Sequence, residues 1–273
     1  MLTGAMNAAM LQTGIHPPPS LTAPGIGSRV LGRLGMDSRY RLRLSRAEAD
    51  IRAAQALRFL VFNLELNEGL ESSYTTLRDE DAFDPVCDHL LVEDHRTGEV
   101  VGTYRLQTGL TARANLGYYS ALEFDFAPFE PYRAQIVELG RACVHRDHRN
   151  LAVLGLLWRG ISEFARNHNA RYMVGCSSLT SQCPEEGAAA FFELSGKHLV
   201  EPALRTFPLP AYRCDMDRLA PVVPKIPKLL RAYLSLGAWI CGPPAIDRDF
   251  KTIDFLTWLD LEALPAMARR MIG

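Results

Sequence analysis

Apolar positions alternate from Tyr40 to Leu44 at the two-residue period of a strand. From Arg46 to about Leu66 they recur at helical spacing through Ile51, Ala54, Leu57, Val61 and Leu64. After an acidic, turn-rich stretch from Asp79 to Asp84, the segments His89 to Asp94 and Val100 to Gln107 read as two strands joined through the Thr97-Gly98 turn, an antiparallel hairpin. Gln135 to Val144 is apolar and β-branched enough for a buried strand, and the polar turn Arg146 to Asn150 follows it. Leu151, Leu154, Leu157, Trp158, Ile161, Phe164 and Ala165 then form the stripe of a long helix, before a short apolar strand from Arg171 to Ser177. A strand, helix and strand in this order form a crossover that makes its two strands neighbours. The predicted class is α/β (α+β), a mixed twisted central sheet flanked by helices.

The flanks read differently. Residues 1–35 hold Pro17-Pro18-Pro19 and several glycines without a sustained period, the pattern of a mobile tail, and residues 36–220 form the predicted domain. Residues 221–273 read as a helical extension, with Lys225, Lys228 and Arg231 set among Leu229, Leu230, Tyr233, Leu234, Trp239 and Ile240 before Gly242-Pro243-Pro244 breaks the chain. Such a helix either packs on the domain with its cations in water or lies on an anionic membrane surface. The aromatic loop from Thr111 to Pro131 (Tyr118, Tyr119, Phe124, Phe126, Phe129) either covers the core or walls an apolar pocket.

Composition narrows the function classes. With 48% hydrophobic residues in 273 the chain can bury a sizeable core, and a formal net charge of −1 lacks the basic footprint of a nucleic-acid binder. The six cysteines form no C-x-x-C pair and no zinc-type cluster, so they are expected as reduced thiols with no metal site. His89, His145 and His148 have no accompanying Ser or Cys nucleophile motif, which argues against a triad. Neither a secretion-signal pattern nor a run of about twenty apolar residues is present, so the expected location is the cytoplasm, or the inner membrane face as a peripheral protein.

Several motifs resemble a known family. Val137-Glu-Leu-Gly-Arg-Ala-Cys-Val144, His145-Arg-Asp-His-Arg149, Leu156-Leu-Trp-Arg-Gly160, Val174-Gly-Cys-Ser177 and Asp254-Phe-Leu-Thr-Trp-Leu-Asp260 resemble the ornithine-lipid-type N-acyltransferases, often labelled hemolysin-like. Arg58-x-x-Val-Phe62, Asp81-x-x-Asp84, Tyr104-Arg-Leu106 and Glu138-x-x-Arg141 are more distantly similar to the acyl-homoserine-lactone autoinducer synthases and N-acyl amino acid synthases. The resemblance implies a GNAT-type acyltransferase fold, acyl carrier protein as donor through its acyl-phosphopantetheine, no permanently bound cofactor, and a small amino-acid acceptor. It also implies functional roles for Arg58, Phe62, Asp81, Asp84, Arg105, Glu138 and Arg141. The alternatives are an autoinducer-like synthase using another amine, or a membrane-active protein without enzymatic activity.

The residues themselves carry part of this reading. Acetyl-CoA-dependent GNAT enzymes hold the CoA pyrophosphate on a glycine-rich turn before the central helix, whereas the turn here, Arg146 to Ala152, has no glycine. A carrier-protein phosphopantetheine, with one phosphodiester, fits better. Its expected contacts are Cys143, Val144 and the cations Arg146, Arg149 and Arg159. Amide formation from a thioester needs a neutral amine, so a carboxylate able to take a proton assists. Glu138 on its apolar strand is the candidate; the alternative is a salt bridge to Arg141 or Arg105 that closes a polar hole. Because side chains alternate along a strand, a bulge at Gly140 is needed for Glu138 and Arg141 to reach one cleft. Asp81 and Asp84 are candidates to bind a cationic acceptor or are simply a solvated turn. Arg58 is a candidate for the acceptor carboxylate, against an ordinary surface charge.

Overall fold

The computed structural model describes residues 29–30 and 39–265. The expected tail over 1–35 lies outside them, apart from the two-residue strand β1 (Arg29–Val30). In β2 (Tyr40–Ser45) the alternation acts as expected: Tyr40, Leu42 and Leu44 turn inward, while the Arg41 guanidinium meets Glu93 at 2.7 Å. Helix α1 (Glu48–Phe59) runs into a π-helical turn, Leu60–Glu65, and is followed by the single turn α2 (Ser73–Thr76). Strands β3 (Asp88–Asp94) and β4 (Val100–Thr108) form the expected hairpin, and α3 (Gly109–Ala114) leads into the aromatic loop. The crossover unit follows as β5 (Ile136–Val144), α4 (Leu151–Asn167) and β6 (Tyr172–Leu179), with β5 and β6 parallel neighbours. The chain closes with α5 (Pro184–His198), α6 (Lys228–Ser235), β7 (Trp239–Ile240), β8 (Ala245–Asp247) and β9 (Thr252–Asp260).

One mixed sheet results, in the order β1-β2-β3-β4-β5-β6-β9-β7, with β8 also on β9. Among the described residues of the expected helical extension over 221–273, α6 is the one α-helix, with a short 3₁₀ turn at Leu261–Ala263. Strand β9 lies antiparallel to β6 from Tyr172↔Asp260 to Leu179↔Ile253, inside the sheet. It is buried on both faces, so it reads as a nearly continuous apolar run without the alternation that marks a half-exposed strand.

The two faces of the sheet have different coverings. Leu42, Leu90, Leu106, Val137 and Leu139 pack with Leu157, Ile161 and Phe164 of α4. Gly160 lets α4 approach this closely, since a Cβ there would lie 2.6 Å from a Leu90 methyl. The opposite face carries the polar side chains of Arg105, Gln107 and Glu138, covered by α1 and the loop after α3. The aromatics of that loop cover the core: Tyr118, Phe124, Phe126 and Phe129 are buried, with Phe129 stacked on Trp258 at 5.3 Å.

Two irregularities open the sheet at its centre. Strands β5 and β6 pair only from Ile136↔Tyr172 to Glu138↔Val174. Gly175 then passes so close to β5 that a Cβ would stand 2.2 Å from the Leu139 carbonyl oxygen, so only glycine fits. The second irregularity is a bulge. Arg105 faces Gly140 and Thr103 faces Cys143, leaving Arg141 and Ala142 opposite Tyr104 alone. The predicted bulge is therefore present one residue later than Gly140: Arg141 itself adopts the left-handed conformation, with φ 49°. A non-glycine residue rarely takes that conformation, and here it moves the guanidinium from the apolar to the polar face.

Candidate active site

A cavity of about 720 Å³ runs through the opening between β5 and β6. It has walls from both faces of the sheet: Leu139, Leu154, Leu157, Leu229 and Leu230 on the apolar side, and Arg105, Gln107, Glu138 and Arg141 on the polar side. The lining residues Arg149, Asn150, Leu151 and Lys228 are exposed and mark an opening at the start of α4. Asn150 caps α4 with its own side chain, which accepts from the Val153 amide at 3.1 Å. Phe62, Cys143 and Val144 also line the cavity, Phe62 being brought there by the π-helical turn.

Glu138 is 4% exposed and held by three donors. The amide of Gln107 donates to Oε2 at 2.6 Å, the backbone N–H of Tyr119 to Oε2 at 2.9 Å, and that of Ser120 to Oε1 at 2.8 Å. The expected alternative, a salt bridge to Arg105 or Arg141, does not form. The carboxylate instead ties the aromatic loop to the sheet while one side faces the cavity.

The arginines pair elsewhere, in a buried network of Arg58, Arg105 and Arg141 with Asp79, Asp81 and Asp84. Arg58 is completely buried; its Nε meets Asp79 at 2.8 Å and its two terminal nitrogens meet Asp84 at 2.9 and 2.7 Å. Arg105 contacts Asp81 at 2.5 Å and Asp84 at 2.8 Å. Arg141 contacts Asp81 at 3.2 Å and accompanies the Tyr119 hydroxyl at 3.1 Å, its guanidinium lying between the rings of Tyr119 and Phe250. Burial opposes ionisation of Asp84, but Arg58 and Arg105 outweigh it and hold the carboxyl far below the usual carboxylate range; at Asp81 burial is likewise outweighed, and Arg105 and Arg141 lower the carboxyl. Three cations thus meet three anions. Arg58, Asp81 and Asp84, expected at the acceptor, are each already paired within the protein and lie outside the cavity lining. Their geometry gives them a positioning role, fixing Arg105 and Arg141 where these reach the cavity.

His89 Nε2–H donates to the Asp84 carbonyl oxygen, 3.0 Å away, and burial lowers the imidazole to about 4, so it is a neutral structural group. His145 and His148 lie in the turn before α4, where His148 meets the Tyr40 hydroxyl at 3.1 Å. Arg149 is paired with Glu65 at 2.6 Å, whereas Arg146 and Arg159 are exposed and outside the cavity lining. All six cysteines are free thiols.

A second constellation in the cavity wall escaped the sequence reading. Glu123, Asp247 and Asp254 are buried with carboxylate oxygens within 4.8 Å of one another, and the buried Glu68 lines the same cavity. Burial, together with Asp254 and Asp247, pushes Glu123 well up; burial raises Asp254 to about 6 and Glu68 to about 7. The signal that singled out Glu138, a carboxylate alone in an apolar strand, was also present at Asp254 in Ile253-Asp-Phe-Leu. The strand of Asp254 is buried on both faces and lacks the alternation that would separate it from a helical tail.

Residues 57–159 match a family described as an acetyltransferase (GNAT) domain. Among solved structures, FeeM, an N-acyl amino acid synthase from uncultured soil microbes, superposes with a TM-score of 0.53 at 11% identity, covering 86% of this chain and 98% of that one. Domain match and sheet together define a GNAT-fold acyltransferase. The chain is 36% identical over 251 residues to the L-ornithine N(alpha)-acyltransferase of Agrobacterium fabrum, covering 86% of this chain and 84% of that relative. It is 33% identical over 269 residues to the enzyme of the same name from Brucella abortus, covering 92% and 94%. The chain belongs to the L-ornithine N(alpha)-acyltransferase family.

Proposed function

We propose that the protein moves a long-chain 3-hydroxy fatty acyl group from the phosphopantetheine of acyl carrier protein to the α-amine of ornithine, giving a lyso-ornithine-lipid-type N-acyl amino acid. The observation that carries this reading is one cavity joining a fixed carboxylate, Glu138, to an apolar channel between α4 and α6. Its volume of about 720 Å³ is within the range of small-molecule sites. In the reaction the amine nitrogen attacks the thioester carbonyl, a C–N bond forms, and the C–S bond breaks. Glu138, directly or through water, takes the amine proton and passes it to the departing sulfur, so the protons balance. A bulge takes its extra residue out of the ladder, so the backbone N–H groups of Arg141 and Ala142 at the bulged end of β5 are the candidates for the tetrahedral oxyanion. The glycine-free, self-capped turn before α4 favours carrier protein over CoA.

The test is direct. Purified protein given 3-hydroxyacyl carrier protein and ornithine should yield a product with the mass of N-acyl ornithine, at a rate well above that with the matching acyl-CoA. No such mass, or equal use of CoA, overturns the reading in its acceptor or its donor respectively.

Among the described residues no helix is long and apolar enough to cross a membrane. We place the protein in the cytoplasm, peripheral at the inner membrane face, where its product leaves. Support comes from α6, which buries Leu230, Tyr233 and Leu234 while exposing Lys228 and Arg231, and from the neighbouring Trp239, 44% exposed. Flotation with anionic vesicles should carry the protein, and its absence at every anionic lipid content would leave α6 as ordinary domain packing.

A further inference from the structure

Glu123, Asp247 and Asp254 are buried acids without a counter-cation: neither they nor Glu68 makes a salt bridge among the described residues. Part of their hydrogen-bonding capacity is filled. Asp247 Oδ1 accepts from the backbone N–H groups of Asp249 and Phe250 at 2.9 and 2.8 Å, and Asp254 Oδ2 accepts from the Thr252 hydroxyl at 3.0 Å. The remainder is not. Glu123 Oε2 and Asp254 Oδ1, on residues 3% and 4% exposed that line the cavity, have no donor beyond a proton shared between the two carboxyls and the nearby Ser178 hydroxyl. Leaving a buried acceptor unsatisfied is costly, and clustered carboxylates add mutual repulsion. Nearby, the same kinds of group in the Arg–Asp network are fully matched in charge. Such an imbalance in a cavity wall marks a place where a cation from outside completes the structure.

The position of this cluster relative to Glu138 narrows the cation. Ser120, whose N–H donates to Glu138, and Glu123 are the two ends of one short 3₁₀ turn, so their backbones are separated by roughly 6 Å of axial rise. Glu138 and Asp254 project from the same face of the sheet, because Glu138 is level with Val174 on β6 and Asp254 is level with Ser178. The thiol of Cys176, between Val174 and Ser178, is raised by burial and by the charges of Glu123, Asp254 and Glu138 together. Two anionic positions, one at the proposed reacting amine and one a short span away, suit an acceptor with two amines joined by a short aliphatic chain. An ammonium offers three N–H donors, matching three carboxylate oxygens, whereas hard divalent cations call for about six oxygen ligands.

Resting on the ornithine reading above, we propose that Glu123, Asp247 and Asp254 seat the side-chain ammonium of the acceptor and so select a basic amino acid over a neutral one of the same length. The cluster acts at a distance from the bond being made; it is a specificity device and takes no part in proton transfer at the α-amine.

Calorimetric binding of ornithine and of norvaline, which lacks the side-chain amine, tests this on the wild-type chain and on Asp254→Asn and Glu123→Gln, with acyl transfer to both acceptors measured in parallel. Wild type should bind ornithine on the order of 10²–10³-fold tighter than norvaline, the span for losing one partner of a buried charge pair. Each substitution should bring that ratio close to one, without lowering the thermal midpoint. Equal wild-type affinities, or a preference that survives both substitutions, overturns the seat. If wild type acylates ornithine and norvaline equally well, the seat fails and the proposed reaction stands. If it prefers ornithine in binding yet acylates neither, the seat stands and the reaction fails. A preference that chelator abolishes, together with metal in the purified protein, reassigns the cluster to a divalent cation and also overturns the proposal.

Discussion

Two clusters of buried charge flank one cavity, and they are built in opposite ways. Around Arg58, three guanidinium groups face three carboxylates, and the network closes on itself. Around Asp254, carboxylates face one another and no cation of the described residues makes a salt bridge to them. A closed network in a low-dielectric interior is costly to disturb at any member, and it fixes the geometry of what touches it. An open cluster has a cost that persists until something fills it. The first therefore reads as scaffold and the second as receptor, with Glu138 between them facing the cavity.

The largest effect is expected at Glu138 itself. If it carries the amine proton, Glu138→Gln should lower kcat by roughly 10²–10⁴-fold near neutral pH. The same carboxylate anchors Tyr119 and Ser120, so the thermal midpoint must be measured on the same preparation. A large loss of turnover with a small shift in midpoint supports proton transfer. Near-normal turnover would return Glu138 to loop anchoring alone, bringing the open cluster rather than the closed one under scrutiny.

The closed network should respond in stability first. Asp84→Asn leaves Arg58 and Arg105 buried beside a neutral amide, and breaking such a pair typically costs about 3–5 kcal/mol. Denaturant unfolding checks this. A loss under about 1 kcal/mol would mean that the arginines relax toward water and that the network is weaker scaffold than its geometry implies.

Much of this contrast was invisible in the sequence. Strands β2 to β6 and helices α1 and α4 were legible because each follows its own period, and the crossover then fixes β5 beside β6; the single turns α2 and α3 are too short to show one. Strand β9 was not, because burial on both faces removes alternation and leaves a run that a helix can share. Missing β9 hid Asp254 and, with it, the acidic cluster. The pairing of the arginines was hidden for another reason. Arg58-x-x-Val-Phe62, Asp81-x-x-Asp84 and Glu138-x-x-Arg141 were recognisable as a set, but which charge neutralises which depends on the left-handed turn at Arg141, and nothing in its neighbourhood other than the need for a bulge announces that.

The two clusters also predict opposite responses to pH. Asp81 and Asp84 are lowered, so their contribution to stability is present above the ordinary carboxylate range and is lost as pH falls through it. Asp254 and Glu68 are raised, to about 6 and about 7, so theirs is present below that range and is lost as pH rises through those values. Without acceptor, the thermal midpoint should peak near pH 4–5 and decline toward pH 8, a fall on the order of 3 kcal/mol for each of the two groups. Asp254→Asn should lessen the alkaline decline, leaving the part that Glu68 carries, and leave the acid side unchanged. A midpoint that rises steadily to pH 8 would show that the open cluster carries no repulsive cost.

The smallest effect concerns the approach of the donor. The proposed donor, acyl carrier protein, is acidic as a family; Arg149 lines the cavity opening, already paired to Glu65, and Arg146 and Arg159 are exposed on the same turn and helix outside the lining. Exposed charges at a rim steer association and are screened by salt, so their contribution should appear in the rate of encounter and vanish at high ionic strength. Reversing all three to Glu should lower kcat/KM for the acylated carrier protein by roughly tenfold at low salt and much less at high salt, with kcat little changed. Because Arg149 is neutralised locally, Arg146→Glu with Arg159→Glu should account for most of the loss. If the triple reversal leaves both the rate and its salt dependence as they were, the carrier protein docks elsewhere. The cations of α6, where Lys228 lines the same cavity, would then be the surface to reverse next.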